Sequence, residues 1–188
     1  MSGGVSDLLD RIGRMMRGLQ FVEGLSPAQW EALRYIARAN RYSRNPSALA
    51  DFLGTSKGTV SQTLIALEGK GYLRRVRGPP DRRAVRLELA PAAKSLLAHD
   101  PLIDVERMVA AALSPSAQTA LSDGLDCLLR NLRQRCGGSD FGVCEECYLF
   151  CANGAGDDPG GPHRCGLTGE AISDDETRQI CVWSRNTA

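Results

Sequence analysis

The residues best equipped for chemistry are cysteines. The chain has seven, and none stands before Cys127. Cys144 and Cys147 form a Cys-x2-Cys turn, which aims two thiolates at one ion or cluster. Cys165 follows after 17 intervening residues and Cys181 after 15 more. Thiolates are soft ligands that suit zinc and iron–sulfur clusters, and four of them from separate segments make a closed site. In a cytosolic protein, the setting expected here, such a cluster reads as a metal site rather than a disulfide framework. The expected ligands are Cys144, Cys147, Cys165 and Cys181. Zinc ribbons present two Cys-x2-Cys knuckles, whereas the second half here offers isolated cysteines. The spacing therefore points toward an iron–sulfur cluster, [4Fe–4S] in type, with zinc as the alternative and metal-free redox thiols behind it. Phe141, Tyr148, Phe150 and Trp183 can shield a cluster from water. Cys151, which follows Cys147 in a Cys-x3-Cys pattern, competes as a ligand, and His163 can replace a cysteine. Cys127, beside Leu125, Leu128 and Leu129, reads as a core thiol; Cys136 has no clear role.

The tail pattern Cys144-x2-Cys147-x2-Phe150, then Cys165-x-Leu167, then Cys181-x-Trp183, loosely resembles the small [4Fe–4S] modules of accessory subunits of some glycyl-radical enzymes. Only the tail carries that resemblance.

The elements that must position these residues precede them. Apolar residues at Val5, Leu8, Leu9, Ile12, Met15, Met16 and Leu19 keep helical spacing. Ser26-Pro27 opens a helix to about Ala39, with Trp30, Leu33, Ile36 and Ala37 as its buried stripe. Asn45-Pro46 repeats the signal for a short helix ending at Gly54. Thr55-Ser56 caps another, to about Lys70, whose inner face is Val60, Leu64 and Leu67. Tyr72–Arg77 and Ala84–Leu89 are β-prone runs around a polar turn, a hairpin. Pro91 starts a helical region bent near Pro101, and Ser114-Pro115 caps a last helix to about Arg135. A Gly-rich linker at 137–139 leads into a tail with little periodicity. The expected class is mainly α with a small β wing. A winged helix-turn-helix and helical dimerisation region would occupy 1–136, with the reading head at about 25–90, and a Cys-rich metal-binding extension 137–188.

Composition excludes some classes. Hydrophobic residues make up 43% and charged residues 24%, ordinary for a globular chain. No apolar run approaches the roughly 20 residues of a membrane span, and the N-terminus lacks a signal-peptide layout, so a cytoplasmic protein is expected. The net charge of +1 conceals an asymmetry. Residues 51–94 carry nine Lys/Arg against four Asp/Glu, and residues 136–188 three against nine. The basic segment can attract a polyanion; the acidic tail repels one and would have to be held clear of the reading head in a DNA-bound form.

The two short helices joined at Gly54 make a helix-turn-helix, and the hairpin makes it winged. Ala50 is small enough for close helix crossing. With Val60, Leu64 and Leu67 turned inward, Ser56, Lys57, Thr59, Ser61, Gln62 and Thr63 remain near the outer N-terminal half of the second helix. These are donors and acceptors that reach base edges in a major groove; Gln62 can pair bidentately with adenine, and Lys57 can reach guanine or phosphate. The hairpin bears Arg74, Arg75, Arg77, Arg82, Arg83 and Arg86, suited to phosphate or a narrow minor groove.

From about Leu8 to Arg135 the chain resembles the MarR family of regulators. The resemblance rests on Leu49-Ala50 through Leu67-Glu68-x-Lys70-Gly71-Tyr72-Leu73-x-Arg75 and on Asp81-Arg82-Arg83-Ala84-Val85-Arg86-Leu87. It implies a wing whose Arg83 enters the minor groove while Asp81 steadies it, and a homodimer built from the N-terminal and last two helices. One departure is Leu89-Ala90 where the family usually has Leu-Thr. The function expected is a non-enzymatic, homodimeric regulator of a pseudo-palindromic double-stranded DNA operator, controlled by its cluster. The alternative keeps the DNA binding, makes a zinc site structural and gives control to a small aromatic molecule. Electron transfer by the cluster is a third reading. Neither a catalytic triad, a phosphate loop nor usefully spaced carboxylates supports an enzyme.

Overall fold

The computed structural model describes residues 4–77, 85–137 and 141–184. Helix α1 spans Val5–Leu19, α2 Pro27–Arg38, α3 Pro46–Leu53 and α4 Lys57–Gly69. Strands β1 (Leu73–Arg77) and β2 (Val85–Leu89) pair antiparallel, Leu73 opposite Leu89. Then come α5 (Pro91–Leu97), α6 (Leu102–Ala112) and α7 (Pro115–Arg135).

Local chemistry sets these boundaries. Ser26, Asn45, Ser56 and Ser114 each accept a hydrogen bond from a backbone N–H of the helix they start, and α2, α3 and α7 open on Pro27, Pro46 and Pro115. Each such cap stabilises by about 1 kcal/mol. The Ser26 cap is a full capping box closed by Gln29. Gly54 takes a left-handed φ of 60°, which turns the chain from α3 toward α4. The core joins Trp30, Leu33, Tyr35 and Ile36 of α2 to Leu49, Val60, Leu64, Leu67, Leu73 and Leu87. Two details of the α2 stripe differ from expectation. Ala37 is exposed, while Ala32 and Tyr35 are buried, because the face against α3 and α4 is wider than a single stripe.

Helices α1, α6 and α7 bury no residue within one chain. Ile12, Met15, Met108, Leu121, Leu125 and Leu132 are all exposed. Cys127, expected in the core, is exposed as well: α7 has no inner side in a single chain. Among the described residues no helix is long and apolar enough to cross a membrane.

The tail is ordered by short long-range pairings. β3 (Gly142–Val143) pairs with β7 (Ile180–Cys181), and β4 (Phe150–Cys151), β5 (His163–Cys165) and β6 (Ala171–Ile172) form a second small sheet. A 3-10 turn covers Cys144–Glu146, and α8 is one turn, Asp174–Thr177. Gly161 is required for backbone clearance: at φ 131° a Cβ would fall 2.3 Å from the Ile172 carbonyl oxygen. The tail is not held away from the reading head. Ile180 lies in the same core as Trp30, with Phe141 and Val182 packed against it.

Candidate cysteine pocket and nucleic-acid interface

Three segments of the tail deliver the four expected cysteines to one pocket. Cys144 and Cys147 come from the 3-10 turn and its end, Cys165 from β5 and Cys181 from β7. Leu149, Phe150, Leu167, Ile172 and Trp183 supply apolar wall. The lining residues bound about 500 Å³, part of it open to solvent. The thiols share a pocket without closing on a point. Among the described residues no three Cys, His, Asp or Glu side chains gather as a single metal ion requires.

Cys144 and Cys181 are both buried in the pocket, and each perturbs the other's thiol. Cys181 is held down, first by its neighbour Cys144 and against burial. Cys144 is pushed up, first by its neighbour Cys181 and then by burial. A thiol held down passes more readily to its anionic, ligating form.

The other candidates fall elsewhere. Cys151 is exposed on β4 and does not line the pocket. His163 is occupied: its Nδ1 accepts from the Asn153 backbone N–H at 3.2 Å and its Nε2 faces Asp174 at 3.0 Å. Its ring packs on Phe150. Cys136 is exposed at the end of α7. Of the shielding aromatics, Phe150 and Trp183 line the pocket; Tyr148 is exposed. Phe141 instead meets Phe52 of α3 edge-on at 5.1 Å, with the Arg133 guanidinium of α7 5.4 Å from each ring.

Besides Glu176 of the tail, the reading head supplies the pocket's remaining wall: Asn40, Arg41 and Tyr42, from the turn between α2 and α3. The Asn40 N–H donates to the Ile180 carbonyl at 2.9 Å, and the Val182 N–H donates to Ser43 Oγ at 2.9 Å. Arg41 pairs with Glu170 and Glu176, each at 3.5 Å, and donates to the Ala171 carbonyl. Tyr42 donates to Glu170 and stacks on Trp183 at 5.3 Å. Reading the sequence missed this turn. The one available signal was two arginines, Arg41 and Arg44, in a polar loop that an acidic tail can neutralise.

On α4 the buried Val60, Leu64 and Leu67 leave Lys57, Thr59 and Gln62 exposed and Ser61 and Thr63 half-buried. Ser56 is spent on the cap, and the Thr63 hydroxyl donates to the Thr59 carbonyl at 3.1 Å. Ser56 and Thr59 share a hydroxyl contact at 2.9 Å. Arg75 is tied to α4, pairing with Glu68 at 2.9 Å, so it braces the hairpin against the helix. Asp81, Arg82 and Arg83 lie outside the described residues.

Residues 23–84 match the model of the MarR family. That segment is similar to the winged helix of the MarR family. The family model ends well before Cys127, so the cysteines are not part of the match. Solved structures share the fold. The transcriptional regulator PA3341 is 29% identical, at TM-score 0.59, over 69% of this chain and 98% of that one. MepR of S. aureus, solved in a DNA complex, is 20% identical at TM-score 0.60, over 70% and 99%. FabT of Streptococcus pneumoniae, also in complex with DNA, is 23% identical at TM-score 0.54, over 69% and 93%. Comparison with curated proteins finds no match.

Proposed function

We propose that this MarR-type DNA-binding regulator works as a homodimer on a pseudo-palindromic operator and that an iron–sulfur cluster held by Cys144, Cys147, Cys165 and Cys181 controls its affinity. The observation that carries the reading is the shared boundary of the two parts: the cysteine pocket is walled on one side by the turn that leads into the helix-turn-helix. The exposed Lys57 and Gln62 beside a buried Val60, Leu64 and Leu67 suit α4 to a major groove, as the DNA-bound MepR and FabT neighbours suggest for this fold. Exposed apolar residues on α1, α6 and α7 supply a two-fold interface, since patches of that extent on a monomer mark a partner.

The donor set favours a cluster over zinc. A zinc ribbon presents two Cys-x2-Cys knuckles, whereas Cys165 and Cys181 come singly from β5 and β7. Apolar walls around the cysteines are surroundings that set a cluster's potential. When bound, the cluster supplies sensitivity to oxygen, nitric oxide or redox poise; the chain holds the thiolates and transmits their state.

A second reading has one observation in its favour. A cleft of about 590 Å³ is lined by Ile36, Ala37, Leu89 and Leu97 and by Arg44, Arg86 and Lys94, with Glu88 paired to Arg86. A small aromatic acid suits that lining, and it would act as effector beside a structural metal. Anaerobic purification with metal and sulfide analysis tests the choice: a brown protein with iron and sulfide is expected, and a colourless one with one zinc per chain would favour the second reading.

A further inference from the structure

We infer that Arg133 is a specificity-determining residue for the spacing of operator half-sites: it clasps Phe52 of the reading head and Phe141 of the tail, and so fixes the angle at which α7 carries the head. This holds given the homodimer read above, whether or not a metal is bound.

Arg133 stands in the last turn of α7 and is half-buried on a helix that is otherwise largely exposed. The same helix exposes Leu121, Leu125 and Leu132, which would meet a second copy. The Arg133 guanidinium lies 5.4 Å from the centroid of each ring, inside the roughly 6 Å over which a ring's face attracts a cation. The two rings meet edge-on at 5.1 Å, which turns the positive edge of one toward the face of the other. Each ring is anchored in the head. Phe52 stands on α3 just before the Gly54 turn of the helix-turn-helix and packs on Tyr35 of α2 at 4.7 Å. Tyr35 is buried, and its hydroxyl donates to the Ser43 carbonyl at 2.8 Å. Phe141 precedes β3, whose Gly142 pairs with Cys181 of β7, and Ile180 of β7 sits in the head's core. One cation of the dimerisation helix therefore holds two rings that move with the head. A dimer reads two half-sites at once, so the angle between α7 and each head sets the spacing it accepts. Each base pair inserted between half-sites turns one against the other by about 34°. A clasped head cannot follow that rotation; a released one can.

The test uses the full chain and a duplex that the wild-type protein selects from randomised sequences, with two base pairs then inserted between its half-sites. Fluorescence anisotropy at one salt concentration reads both duplexes. Wild type should lose at least about tenfold in affinity on the insertion, and Arg133→Gln at most about threefold. Phe141→Leu keeps the apolar packing without the ring face and should behave as Arg133→Gln does. Arg133→Lys keeps the cation and should retain the wild-type loss. Wild-type discrimination in both Arg133→Gln and Phe141→Leu, including an equal loss of affinity at the two spacings, would overturn the inference while leaving the homodimer reading intact, as would a wild-type dimer that binds both duplexes alike. A wild-type protein that is monomeric by light scattering at micromolar concentration would overturn that reading and this inference with it.

Discussion

Ile180 and Ala39 form an isolated parallel bridge, with Ile180 packed into the core that also holds Trp30 and Leu33. The strand that carries a pocket cysteine is therefore part of the winged helix's own packing. Ile180→Ala should lower the unfolding free energy of the reading head by about 2–4 kcal/mol, the usual cost of such a truncation in a core. Urea denaturation followed by far-UV circular dichroism checks this. A loss under about 0.5 kcal/mol would show that the tail is only tethered.

On α4, Gln62→Ala should cost about 1–3 kcal/mol of discrimination at one base position, and Lys57→Ala should weaken all sequences alike and reduce the salt slope by about one. Both side chains are exposed beside the buried Val60 and Leu64. Competition anisotropy against single-base operator variants, at two salt concentrations, separates the two behaviours. Unchanged specificity in Gln62→Ala would move the base contacts elsewhere.

For the pocket, alanine at Cys144, Cys147, Cys165 or Cys181 should each remove most of the iron and sulfide, whereas alanine at the exposed Cys127 or Cys151 should not. Loss of the cluster in Cys151→Ala with retention in Cys181→Ala would assign the site to a more local set.

For assembly, Ile12→Glu combined with Leu125→Glu should yield monomers at micromolar concentration, because both residues are exposed on helices that bury nothing in one chain. Light scattering reads the outcome directly. A dimer that survives the pair would place the interface away from α1 and α7.

The reading head was legible because its signals are local. Ser26-Pro27, Asn45-Pro46, Ser56 and Ser114-Pro115 announce their helices within a few residues, and the spacing of Val60, Leu64 and Leu67 declares its inner face. The tail hides its order because its strands are two or three residues long and their partners distant, as with Gly142 opposite Cys181. Spacing named four cysteines that the fold brings to one pocket. It gave no hint that Asn40 lines that pocket or that Ser43 holds Val182, since a polar turn after a helix looks alike whether it faces solvent or another part of the chain. Cys127 misled for a related reason: leucines around it mark an apolar face, and within one chain that face has nothing to bury against.

The central claim is that the cysteine pocket governs DNA binding through the reading head on which it is built. Its most direct test is an anaerobic fluorescence anisotropy titration of one operator, at one salt concentration, with cluster-loaded and cluster-stripped protein of equal dimer content. The account predicts dissociation constants differing by at least about tenfold, a coupling of roughly 1.4 kcal/mol. Equal constants would contradict it and leave the cysteine site a structural brace.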